Sequence, residues 1–100
     1  MGISILLRTE SLEVLARVDD ERNILHRLLP EEGSGSLLAG IDWYGDAVFN
    51  RLQMDQFLSE WEALSRKTSD PEDVALIDGI KQLALRCQSE PHLYLSFIGD

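Results

Sequence analysis

Asp42, Asp46 and Asn50 fall four residues apart around a turn-forming stretch of the chain. Carboxylate and amide oxygens are the ligands that Mg²⁺ and Ca²⁺ prefer. The spacing departs from the EF-hand loop, which needs ligands at alternate positions and a glutamate at the twelfth. The same residues also have structural roles open to them. A turn aspartate accepts bonds from backbone amides, and Asn50 followed by Gln53 reads as a helix N-cap with its reciprocal partner. The structural reading comes first, and no metal or other cofactor is assigned.

His92 is the second candidate. It opens the last apolar stretch, directly after Glu90-Pro91. If that stretch pairs with residues 37–41 antiparallel, His92 approaches Asp42 and an acid–base pair forms; a parallel pairing puts the two at opposite ends. A small metal-assisted hydrolase would require Asp42, Asp46 and His92 to converge. His26 reads as a residue on the polar side of a helix. Cys87 falls on an apolar stripe and reads as an inert buried thiol. One cysteine and two dispersed histidines make a structural zinc site a poor fit, and no nucleophile-elbow or phosphate-loop motif occurs.

Trp43 and Tyr44 lie at the turn itself, where aromatic side chains serve as binding anchors. With Asp42 and Asp46 they compose an acidic-aromatic patch, suited to an arginine-rich protein surface. The alternative is that both rings fold back over a sheet edge. Asp42, Trp43, Tyr44, Asp46 and His92 are therefore the candidate binding residues, and no catalytic residue is assigned.

The elements that must position them follow from periodicity. Ile3, Ile5 and Leu7, then Leu12, Val14, Ala16 and Val18, recur with period two and predict a β-hairpin around Thr9-Glu10-Ser11. Asp19-Asp20-Glu21 precedes Ile24, Leu25, Leu28 and Leu29 at helical spacing, and Pro30 ends the run, which predicts a short helix over about 21–29. Residues 31–36 read as a surface loop. Leu37 to Ile41 is a continuous apolar run consistent with a central strand, and Ala47-Val48-Phe49 with a brief returning one.

Behind Asn50, the residues Met54, Phe57, Leu58, Trp61 and Leu64 share one helical face. Asp70-Pro71-Glu72-Asp73 supplies an N-cap, a proline at the first helical position and two acids in the first turn. Leu76, Ile77, Ile80, Leu83, Ala84 and Cys87 then form the stripe of a second long helix. Gly79 within it costs about 1 kcal/mol relative to alanine, which a close helix crossing would explain. The short Thr68-Ser69 connection makes these helices antiparallel neighbours. Leu93, Leu95 and Phe97 alternate in a final strand expected beside residues 37–41.

The resulting order is β-β-α-β-(β)-α-α-β. It predicts an α+β two-layer sandwich: a mixed or antiparallel sheet of about four strands, covered on one face by a helical hairpin.

One hundred residues, 44% of them apolar and 27% charged, form one domain spanning 1–100. The net charge is −9, with nine acids in each half of the chain. Such a field repels nucleic-acid phosphate and anionic lipid; it favours solubility, as an ordinary soluble surface does, or a basic protein partner. No apolar run reaches the roughly 20 residues of a membrane span, and the first residues lack the basic and long apolar regions of a signal peptide. A cytoplasmic location is expected.

Ile41-Asp42-Trp43-Tyr44-Gly45-Asp46-Ala47-Val48-Phe49-Asn50 and Glu90-Pro91-His92-Leu93-Tyr94-Leu95-Ser96-Phe97-Ile98-Gly99-Asp100 resemble segments of small uncharacterised bacterial proteins of about this length. The resemblance implies a bacterial, cytoplasmic, stand-alone domain and carries no activity with it. From charge and fold class, the leading expectation is a non-enzymatic protein-binding module, such as an immunity protein or inhibitor of a basic toxin or nuclease. The alternatives are the carboxylate hydrolase and a homodimer through the uncovered sheet face.

Overall fold

A computed structural model describes residues 2–29, 37–41 and 45–99. Four strands, β1 (Ser4–Thr9), β2 (Val14–Asp19), β3 (Asp46–Asn50) and β4 (Leu93–Ile98), form one sheet in the order β2-β1-β4-β3, with every pairing antiparallel. Among the described residues three α-helices accompany it: α1 (Ile24–Leu28), α2 (Met54–Arg66) and α3 (Pro71–Ser89). The fold is the expected α+β two-layer sandwich.

The inner face of the sheet carries Ile5, Leu7, Leu95 and Phe97, all fully buried against Phe57, Trp61 and Ile80 of the helical hairpin. Phe57 stacks on Trp61 with ring centroids 5.2 Å apart, and the Trp61 indole N–H donates to the Ile77 carbonyl of α3 at 3.0 Å. One side chain thus serves as core filler and as a polar clasp between the two helices, which suits an amphipathic ring.

The helix starts form as the local chemistry dictates. Asn50 Oδ1 accepts from the Gln53 N–H and Gln53 Oε1 from the Asn50 N–H, a reciprocal box that opens a 3₁₀ turn leading into α2. Asp70 accepts from the Glu72 N–H, with Pro71 in the first turn of α3. Gly79 lies where α3 passes over β2. A Cβ there would sit 3.7 Å from Val18 Cγ2, an ordinary contact, so the crossing leaves room for alanine.

Three expectations need correction. Residues 37–41 are not a strand: Leu38–Gly40 form a 3₁₀ turn. Glu60 of α2 accepts from the Leu37 and Leu38 N–H groups at 3.0 and 2.9 Å, and a turn anchored in this way makes no ladder bonds. β4 accordingly lies between β1 and β3. Helix α1 begins at Ile24 rather than near 21. The buried Asp20 carboxylate accepts from the Ile24 and Leu25 N–H groups, both at 2.9 Å, and Asn23 stands just before them in the left-handed region at φ 55°. Finally, Leu12 does not continue the buried alternation of β2. It is 68% exposed in the hairpin turn at φ 68°, and a bulge beside Arg8 shifts the register of β2.

Candidate functional site

Side chains directly opposite in an antiparallel sheet share a face, so the registers define what the outer face presents. Its rows across β2, β1, β4 and β3 read Asp19–Ser4–Ile98–Asp46, Arg17–Leu6–Ser96–Val48 and Val14–Arg8–Tyr94–Asn50. Among the described residues no helix covers this face. Leu6 and Ser96 are nevertheless buried, and both lie outside the main core cluster. Val14 and Val48 stand 49% and 55% exposed on the two edge strands.

A groove of about 390 Å³ runs across this face, lined by Arg8, Thr9, Glu10, Leu12, Val48, Tyr94 and Ser96. Arg8 Nε is buried there without a hydrogen-bond partner among the described residues. Glu10 instead pairs with His92, whose Nδ1 lies 2.8 Å from Glu10 Oε1. His92 stands at φ 62°, so two non-glycine residues in the left-handed region, Leu12 and His92, flank the same end of the sheet. Such conformations cost of order 1–3 kcal/mol each and persist where neighbouring structure enforces them.

At the opposite end, the Ser4 hydroxyl and then the Arg17 guanidinium, 2.9 Å from Oδ1, hold the Asp19 carboxyl below its usual range. Asp46 is exposed in the same row, at the start of β3.

Of the residues singled out from sequence, Asp42, Trp43 and Tyr44 lie outside the described residues. Asp46 and His92 are not brought together. Asp46 pairs with Ile98, six residues along β4 from His92, a separation of roughly 20 Å at about 3.3 Å per residue. His92 meets Glu10 from the β1–β2 turn, a partner that local sequence does not suggest. Asn50 is engaged in its helix cap. Cys87 is buried, and burial pushes its thiol up to about 11. Among the described residues, no group of three or more His, Cys, Asp or Glu side chains is placed to hold a metal ion.

Arg8 was not among the sequence candidates. Its signal was the alternation that puts it with Ser4 and Leu6 on the face away from Ile5 and Leu7; what was missing was that β1 is a central strand. No family model, curated protein or solved structure matches the chain.

Proposed function

We propose that this chain is a non-enzymatic binding module, of the immunity-protein or inhibitor kind, that presents the outer face of its sheet to a basic protein partner. The observation that carries the reading is the arrangement of that face: exposed Val14 and Val48 on its edges, Tyr94 between them and Asp46 at one end. Exposed apolar and aromatic side chains set among charged ones are the composition of a protein interface.

Charge supports the choice of partner. Six of the nine bases, Arg17, Arg22, Arg27, Arg66, Lys81 and Arg86, are held in ion pairs with the chain's own carboxylates. With a net charge of −9 the field reaching solvent is negative, and it steers a cationic surface inward.

The test is affinity capture from extract of the source cells with the wild type and two charge-matched variants. Val48→Arg adds a positive charge to the outer face, and Gln82→Arg adds the same charge to exposed α3. A basic protein retained by the wild type and by Gln82→Arg, but lost with Val48→Arg, is the expected result. Capture of no basic protein, or capture indifferent to Val48→Arg, contradicts it. A stable dimer by sedimentation that becomes monomeric in Val48→Arg would assign the face to a second copy of the chain instead.

A further inference from the structure

We infer that the groove around Arg8 is a binding site for a small monocarboxylate carried on an apolar body, of phenylalkanoate size. This concerns a small ligand within the groove; the groove lies in the face given above to a protein partner and shares Val48 and Tyr94 with it, and the ligand is tested without that partner. Arg8 occupies a central strand between Val14 and Tyr94, with its Nε shut away from solvent and no acceptor for that N–H among the described residues. Buried donors are nearly always satisfied; this one is not, and the guanidinium that bears it lines the groove, where a ligand carboxylate can reach its outer N–H groups.

The surroundings make this exception more pointed. The chain has twice as many acids as bases, 18 against 9, and most of its other bases pair internally. The carboxylate in the same groove, Glu10, is taken by His92 rather than by Arg8. A guanidinium presents its N–H groups as a planar fork that matches a carboxylate in two parallel bonds.

The rest of the groove defines the body of the ligand. Leu12, Val48 and the Tyr94 ring are its apolar walls, and Ser96 supplies a hydroxyl beside them. Its volume, about 390 Å³, falls within the range of roughly 300–1,000 Å³ of small-molecule sites. Leu12 reaches this wall from a backbone held at φ 68°, a conformation a leucine seldom adopts. The net charge of −9 and the presence of Glu10 select a single negative charge over a polyanion.

The experiment is a chemical-shift titration of the isotope-labelled full chain with phenylbutyrate, its neutral counterpart phenylbutanol, and inorganic phosphate. Phenylbutyrate should move the Arg8 Nε–H, Tyr94, Ser96 and Val48 signals saturably. Phenylbutanol should bind at least about tenfold more weakly, and phosphate should show no saturable shift. Arg8→Gln should lower phenylbutyrate affinity by about ten- to a hundredfold, and Glu10→Gln should raise it a few-fold by removing a like charge. Val48→Glu, on an exposed edge-strand position, should abolish binding while the thermal midpoint stays near that of the wild type. No saturable shift at millimolar phenylbutyrate overturns the inference. So does unchanged affinity in Arg8→Gln, equal binding of phenylbutanol, or phosphate matching phenylbutyrate.

Discussion

Replacing Glu60 with alanine removes the acceptor that turns residues 37–41 away from the sheet. The Glu60 carboxylate takes the N–H groups of Leu37 and Leu38 and the amide of Gln56. An unpaired buried backbone donor costs about 1–3 kcal/mol. Both donors are only part-buried, which puts each at the lower end, so Glu60→Ala should lose about 2 kcal/mol. For a domain of this size that is a fall of roughly 8–16 °C in thermal midpoint. Glu60→Gln keeps a neutral acceptor and should lose about half as much.

The same site sets a pH dependence. Burial works against the Glu60 carboxylate, but the Leu38 and Leu37 N–H groups and the Gln56 amide outweigh it, so the folded carboxyl lies below its usual value of 4.5. The unfolded chain therefore takes up this proton first as pH falls. The stabilisation is fully present above about pH 4.5 and is lost as pH drops through the lower, folded value. Urea denaturation of wild type and Glu60→Gln should show a gap at neutral pH that narrows in acid. A loss under about 0.5 kcal/mol in Glu60→Ala, or a gap that holds constant into strong acid, would refute the anchoring role.

Other perturbations separate tight backbone approaches from incidental ones. Gly79→Ala should stabilise by about 1 kcal/mol through helix propensity, since its Cβ meets only Val18 Cγ2 at 3.7 Å. Gly2→Ala should destabilise by about 1–3 kcal/mol, because a Cβ there falls 1.7 Å from the Asp20 carbonyl oxygen; denaturant midpoints decide both. Cys87, with its thiol pushed up to about 11, should stay unmodified by an aromatic disulfide reagent at pH 8 and react promptly once urea unfolds the chain. Leu12→Gly should relieve left-handed strain, gaining about 0.5–1 kcal/mol, while weakening phenylbutyrate binding as the groove loses a wall.

What the sequence disclosed was local. The Asp70-Pro71 start, the Asn50–Gln53 cap, the helical stripes of Phe57, Trp61 and Ile80, and the alternation of Ile5 with Leu7 are all set by neighbours within a few residues, and all are observed. What it hid was distant. Residues 37–41 turn because of Glu60, more than twenty positions away. Leu12 leaves the apolar face because the turn and bulge consume the register that alternation assumes. His92 finds Glu10 only because β4 inserts beside β1. The Arg8 groove draws residues from β1, β3, β4 and the first turn, so no stretch of sequence contains it.

Oxidative side-chain footprinting of the chain, alone and with the captured basic partner bound, addresses the outer face most directly. Leu12, Val48 and Tyr94 should become protected, while exposed Val74 and Leu85 of α3 react as before. Protection of Val74 and Leu85, with Leu12, Val48 and Tyr94 unchanged, would place the working surface on the helices and contradict the account.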